Sequence, residues 1–227
     1  MLIIVPARAG SKGIPGKNTR DFRGAPLVAY SFAAARILAR VLGAEILCTT
    51  DDPKVADIAH AMGIATHARA ADLASDGAGM AGVVQDACRV GGAARYVLLQ
   101  PTSPLRITSD LHRLAQAVGA HDTVVSCTHP AEAPDDIITL PSGSPIITTP
   151  KTATRQERAG DYRFVDGAFY AGAAQTLQNG GGFTPPGTEF VTLTNPVATD
   201  IDTPFDWALA EAQFDWLMSQ GVDFARP

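Results

Sequence analysis

An α/β fold, with a mostly parallel sheet and helices on both of its faces, is predicted by three features of this chain. Its strand candidates are short unbroken apolar runs, such as Leu2–Val5 and Tyr96–Leu99, the pattern of strands buried on both faces. They alternate with helical patterns up to Thr128, which is the rhythm of successive β-α-β units. Hydrophobic residues at 46% against 18% charged, over 227 positions, can bury one substantial core, so residues 1–227 read as a single domain.

Leu2–Val5 ends at Pro6, and a glycine-rich basic loop runs from Ala7 to Gly24. Pro26 opens a helix to about Arg40, with Leu27, Tyr30, Ala34 and Leu38 on one face. Glu45–Thr50 is the second strand. Asp52 is an N-cap with Pro53 at the first helical position, so a helix runs to about Met62. Ala65–His67 is a short third strand, residues 68–79 a loop, and residues 80–90 a helix. Tyr96–Leu99 is the clearest central strand. Ser109-Asp110 caps a helix to about Val118, and Thr123–Thr128 is the next strand. The rhythm then breaks. Residues 130–164 are rich in Pro, Ser, Thr and charge, and read as a hairpin insert or flap. Val165–Gly172 and Phe190–Leu193 resume as strands. A last helix spans Pro204 to about Gln220, with Trp207, Ala210, Phe214 and Leu217 forming a stripe toward the core.

Lys+Arg is 18 and Asp+Glu is 23, a net charge of −5, which argues against a nucleic-acid partner. No apolar run approaches the roughly 20 residues that span a bilayer, so no membrane partner is expected. The N-terminus carries no basic leader and reads as neither signal peptide nor anchor. Cys48, Cys88 and Cys127 lie far apart with no Cys-x-x-Cys pair; Cys48 and Cys127, at the ends of apolar runs, read as buried reduced thiols, and a cytoplasmic protein is expected.

Chemistry concentrates in the loop after the first strand, Arg8-Ala-Gly-Ser-Lys-Gly-Ile-Pro-Gly-Lys-Asn18. Ligands of open α/β sheets bind beyond the carboxyl ends of the strands, where this loop lies. Arg8, Lys12, Lys17, Arg20 and Arg23 face one acid, Asp21, in an otherwise acidic chain. Glycines 10, 13 and 16 let backbone N–H groups approach a ligand, so the loop suits a polyphosphate. It is not a P-loop, since Gly10 to Gly16 is one residue too long and Asn18 follows Lys17; a G-x-G-x-x-G is absent too.

A second candidate is Asp200-Ile-Asp202. Carboxylates at i and i+2 of an extended segment point the same way, and a divalent cation takes one or two carboxylates plus substrate phosphate oxygens. Asp202 or Thr203 also reads as the N-cap of the last helix, and both roles can coexist. Gln100-Pro-Thr-Ser-Pro-Leu-Arg106 places Gln100, Thr102, Ser103 and Arg106 at the carboxyl edge of the sheet, or is a plain turn. Arg69, Asp72 and Asp76 form a charged loop. Histidines 60, 67, 112, 121 and 129 lack metal-ligand spacing and read as surface or satisfied residues. No G-x-S-x-G elbow suggests a serine hydrolase.

The opening Ile4-Val-Pro-Ala-Arg-Ala-Gly-Ser-Lys-Gly-Ile-Pro-Gly-Lys-Asn18 resembles the CMP-sialic acid synthetases (acylneuraminate cytidylyltransferases). Thr49-Thr-Asp-Asp52, Leu98-Leu-Gln-Pro-Thr-Ser-Pro-Leu-Arg106, Val165-Asp-Gly-Ala-Phe-Tyr170 and Asp200-Ile-Asp-Thr203 resemble further blocks of that family in the same order. The chain departs from it at Ala70, where Pro is common after the arginine, and at Asp166, where Asn is common before the glycine.

The resemblance implies a three-layer Rossmann-like nucleotidyltransferase domain, usually a homodimer in which residues 130–164 of one subunit close the partner's site. It implies that CTP and a nonulosonic acid give the CMP-sugar and pyrophosphate, the anomeric hydroxyl attacking the α-phosphorus. Arg8, Ser11, Lys12 and Lys17 would bind the triphosphate. Asn18, Arg69 and Ala78 would lie at the cytidine, and Gln100 and Arg155 would face the sugar acid. Asp200 and Asp202 would hold Mg²⁺, or Mn²⁺, with Asp202 also catalytic. Alternatives are a transferase for 3-deoxy-manno-octulosonate, a GTP-dependent sugar activation, or a nucleotide-binding module without turnover.

Overall fold

Every residue of the first strand, β1 (Leu2–Pro6), is buried, and its alternation sets the layers of the molecule. Ile3 and Val5 point to one side of the sheet, where they pack with Val28, Phe32, Leu38 and Leu114. Leu2 and Ile4 point to the other side and meet Val84, Cys88 and Leu177. Successive strand side chains face opposite ways, so one apolar run suffices to hold helices on both faces. The computed structural model describes residues 1–74, 77, 79–130, 162–195 and 199–227, and the backbone of 138–139 and 146–147.

After β1 come the short hairpin β2 (Asp21–Phe22) and β3 (Ala25–Pro26), then α1 (Leu27–Leu42), β4 (Glu45–Thr50), α2 (Pro53–Ala61) and β5 (Ala65–Ala68). Next are α3 (Ala71–Ala74), α4 (Met80–Val90), β6 (Arg95–Leu98), α5 (Thr108–Ala120) and β7 (Val124–Thr128). A small antiparallel pair, β8 (Ile138–Thr139) and β9 (Ile146–Ile147), falls within the expected insert. The chain closes with β10 (Phe164–Ala173), α6 (Ala174–Gln178), β11 (Glu189–Thr192) and α7 (Pro204–Ser219).

The main sheet has the order β11-β7-β10-β6-β1-β4-β5. β1 runs parallel to β4 and β6, β4 to β5, and β11 to β7. Only β10 among these is reversed, antiparallel to both β6 and β7. The mostly parallel sheet is thus borne out, with Phe164 opening β10 directly opposite Thr128 at the end of β7. The register of β10 shifts between Val165 and Tyr170, around Gly167 with its φ of +77°.

Three local expectations need correction. Residues 71–74 of the expected loop form one helical turn, α3, with Asp72 in its first turn. Ser109-Asp110 is not a cap. α5 begins at Thr108 after Ile107, which makes no side-chain cap bond, and Asp110 is a buried residue inside the first turn. Its carboxylate instead accepts from Arg113, 2.8 Å away, and from the backbone N–H and hydroxyl of Thr194, 2.9 Å each. A carboxylate near a helix N-terminus is favourable whether or not it caps. The short α6 was not foreseen, because a five-residue helix offers too little periodicity to read.

A third apolar cluster fixes α7 against the loop after β1. Ile14, Phe22, Leu27, Tyr30, Trp207, Ala210, Leu217 and Phe224 are buried together. Phe22 stands edge-on to Trp207 at 5.5 Å and to Tyr30 at 5.3 Å, a geometry that aromatic quadrupoles favour. The expected stripe on the last helix is therefore realised at Trp207, Ala210 and Leu217, with Phe214 packed beside them.

Candidate active site

β1, β4 and β6 are parallel, so the loops leaving their carboxyl ends share one edge of the sheet. Ile14 is 1% exposed and plugs the loop after β1 into the third apolar cluster. Gly16 adopts φ +64° and starts a 3-10 turn over Lys17–Thr19, a conformation that glycine enters without a Cβ penalty. The turn buries Lys17 and Asn18. Asn18 then donates to the Arg8 carbonyl at 3.0 Å, which draws the loop back on itself. The loop is also tied to β4, since the Ala9 N–H donates to Asp51 at 2.8 Å.

The acidic segment meets this loop from the other side. The Ile201 N–H donates to the Thr102 carbonyl at 2.9 Å, which docks the segment on the turn after β6. A Cβ at Gly13 would fall 1.9 Å from the Asp202 carbonyl oxygen, so only glycine permits this approach. The Lys17 ammonium crosses the seam, donating to the Ile201 carbonyl at 2.6 Å and to Asp202 at 3.0 Å. Helix capping falls to Thr203, not to Asp202. Thr203 and Asp206 form a reciprocal capping box with Pro204 at the first helical position. The Asp202 carboxylate is left for the cleft, with its side chain 69% exposed.

Together these loops wall a cleft of about 390 Å³ lined by Arg8, Ser11, Lys12, Gly13, Lys17, Asn18, Arg69, Met80, Gln100, Thr102 and Asp202. The sequence-derived residues Arg8, Ser11, Lys12, Lys17, Asn18, Arg69, Gln100 and Asp202 thus come together. Asp200 does not line the cleft. It is exposed beyond buried Ile201, close enough to Tyr170 to raise that phenol's pKa, after burial and Asp166. Ala78, Arg155 and Asp76 lie outside the described residues. Met80, at the start of α4, was missed; an apolar residue opening a helix carries no chemical signal.

Arg69 is 8% exposed and donates to the Thr49 carbonyl at 2.8 Å. Burial lowers its pKa, with the nearby Asp51 pushing back. Gln100 donates to the Gly167 carbonyl at 3.3 Å, spanning from β6 to the irregular stretch of β10. Arg106 was expected at the sheet edge but is 4% exposed. Its guanidinium donates to Ala168 at 2.8 and 3.0 Å, to the Gln100 carbonyl at 2.8 Å and to the Ser31 hydroxyl at 3.1 Å. Burial lowers its pKa to about 10, and Asp166 opposes the shift. Arg106 therefore builds the floor on which Gln100 sits.

Among the described residues no three His, Cys, Asp or Glu side chains cluster as a metal site. Of the two carboxylates expected to hold a divalent ion, Asp202 lines the cleft and Asp200 does not; both are exposed and flank the buried Ile201. A hard divalent ion held by one carboxylate can draw its remaining ligands from a bound substrate and water. Of the histidines, His60 meets the Thr66 hydroxyl at 2.9 Å and His67 meets Asp86 at 2.8 Å, as satisfied residues do.

A family profile described as Cytidylyltransferase matches residues 2–159. The chain is 30% identical to the CMP-N,N'-diacetyllegionaminic acid synthase of Legionella pneumophila, over 93% of this chain and 94% of that protein. It is 32% identical to an N-acylneuraminate cytidylyltransferase of Escherichia coli, over 61% of this chain but only 33% of that longer protein. In structure it is similar to CMP:2-keto-3-deoxy-manno-octonic acid synthetase complexed with CTP. The TM-score is 0.68 at 21% identity, over 97% of this chain and 98% of that one.

Proposed function

The chain belongs to the cytidylyltransferase family, and from that premise we propose that it activates a nonulosonic, sialic-type acid with CTP. The anomeric hydroxyl of the acid attacks the α-phosphorus, the bond to the β-phosphate oxygen breaks, and pyrophosphate leaves with the CMP-sugar as the other product. The observation that carries this reading is one cleft combining the cations Arg8, Lys12, Lys17 and Arg69 with the carboxylate Asp202. Phosphoryl and nucleotidyl transfers need positioning and charge neutralisation more than covalent help from the protein.

In this reading Arg8, Ser11, Lys12 and Lys17 bind the triphosphate and meet the charge that develops on the departing pyrophosphate. Asn18, Arg69 and Ala78 hold the cytidine. Gln100 and Arg155 orient the sugar acid. Asp202, with Asp200 beside it, would hold Mg²⁺ or Mn²⁺, which when bound supplies positive charge at phosphate oxygens and lowers the pKa of a coordinated hydroxyl. Lys17 fixes the Asp202 carboxylate against the phosphate loop, so cation and carboxylate keep one spacing. The protein acts as a cytoplasmic homodimer in which residues 130–164 reach the partner's cleft.

The test is pyrophosphate release from CTP with Mg²⁺, in separate reactions with N-acetylneuraminic, legionaminic, pseudaminic and 3-deoxy-manno-octulosonic acids, each repeated with GTP. Release with CTP and one of the first three acids is expected. Release only with the octulosonic acid, only with GTP, or in no reaction of a folded protein overturns the proposal. A monomer mass by light scattering overturns the exchange of the insert.

A further inference from the structure

Behind the acidic segment lies a second, much smaller space, which the proposed reaction does not use. It measures about 20 Å³ and its polar walls are Ser103, Thr128, Asp166, Asn195 and Thr199. Ser103 comes from the turn after β6, Asp166 from the irregular stretch of β10, and Asn195 and Thr199 from the approach to Asp200.

Two of these side chains are unfinished. Asp166 is 4% exposed. Its Oδ1 accepts from the Ser126 hydroxyl and from the Ala168 N–H at 2.9 Å, but among the described residues its Oδ2 is buried with no partner. Ser103 is 6% exposed, and its Oγ is likewise buried without a partner. Buried polar atoms are nearly always hydrogen-bonded, and leaving one unpaired costs as much as losing a bond. Two such atoms on one cavity wall call for a ligand between them.

Size and charge identify its class. A cavity needs roughly 10–15 Å³ to hold one water, so about 20 Å³ admits one small species and no more. Burial raises the Asp166 pKa, and the buried Arg106 guanidinium is one of the groups that oppose the rise. Arg106 spends its donors on carbonyls and a hydroxyl, and its positive charge near Asp166 disfavours entry of a further cation. The neighbouring walls are closed to rearrangement: Gln213 donates to Asn195 at 2.7 Å and accepts from the Thr199 hydroxyl.

We infer that this cavity is a binding site for one internal water, donating to Asp166 Oδ2 and bonded to Ser103 Oγ. The water joins Asp166 of β10 to the turn after β6, which carries Ser103.

A crystal structure of the full chain, with one crystal soaked in rubidium chloride, tests it directly. Density for a single water within hydrogen-bond distance of both atoms is expected. A rubidium anomalous peak, a dry cavity, or a direct Ser103–Asp166 bond overturns the inference. Thermal melts of Ser103→Val and Ser103→Ala give an independent reading. Valine displaces the water and strands Asp166 Oδ2, so Tm should drop by about 3–8 °C. Alanine keeps room for the water and should lose less. If the cavity were dry, the added methyls would fill a void, and an unchanged or raised Tm for Ser103→Val would overturn the site.

Discussion

The Lys17 ammonium lies 3.0 Å from the Asp202 carboxylate and 2.6 Å from the Ile201 carbonyl. It joins the basic loop at one end of the chain to the acidic segment near the other. Lys17 is thus both a cleft residue and the tie that holds Asp202 in place. Replacing it with methionine should cut CTP-dependent turnover by about 100-fold or more, since one lost electrostatic contact to a transition state is worth that much. Pyrophosphate release measures this. Near wild-type kcat would remove Lys17 from the machinery.

Gly13→Ala should damage the same seam sterically. Its Cβ would meet backbone, the Asp202 carbonyl at 1.9 Å, which cannot swing aside as a flexible side chain can. Overpacking of this kind costs about 1–3 kcal/mol. A fall in Tm together with weaker Mn²⁺ binding in a paramagnetic titration is the expected pair of results. Gly10→Ala, with open space around its Cβ, should leave Tm unchanged.

Asp202 and Thr203 are neighbours with separable roles. Asp202→Asn should suppress metal-dependent turnover while the melting curve stays near wild type. Thr203→Ala removes the hydroxyl that accepts from the Asp206 N–H and should cost about 1 kcal/mol of stability. Urea unfolding and turnover measured on both variants check the separation. Full activity in Asp202→Asn would count against the metal role.

Arg106→Met should be the most destabilising of these changes. It strands the Ala168 and Gln100 carbonyls and leaves Asp166 without its positive neighbour. Breaking such a buried charged network costs about 3–5 kcal/mol, and a matching shift of the urea midpoint is expected.

Acid should unfasten the start of α7. Asp206 is held below the usual carboxylate range chiefly by the Thr203 N–H and hydroxyl. A lowered folded pKa gives stability that is present above the unfolded value, near pH 4, and is lost as pH falls through the folded one. Unfolding free energy should therefore drop below about pH 4, and Asp206→Ala should flatten that limb. An identical acid limb in the variant would assign the loss to other groups. Asp86, held down by Arg89 and His67, contributes in the same direction.

The central strands β1 and β6 were legible because burial on both faces writes each of them as a plain apolar run. The clefts' cations were legible because Arg8, Lys12 and Lys17 stand together in an acidic chain. What could not be read were relations between distant segments. Nothing in the sequence says that Gly13 touches Asp202, or that Arg106 is swallowed by the floor while Arg69 reaches the cleft. The reversal of β10 is likewise hidden, since an apolar strand reads the same in either direction. Asp110 was misread as a cap because its partner, Thr194, lies far along the chain.

That reversal carries a consequence for how such a molecule can diversify. Because β10 runs backwards, its first residue, Phe164, sits opposite the last residue of β7, Thr128. The polypeptide between them departs from and returns to a single doorway at the end of β7. The entropy of closing such an excursion grows only logarithmically with its length. The scaffold can therefore exchange one excursion for another, longer or shorter, as a tool holder accepts different bits, without renegotiating the hydrogen bonds of the sheet.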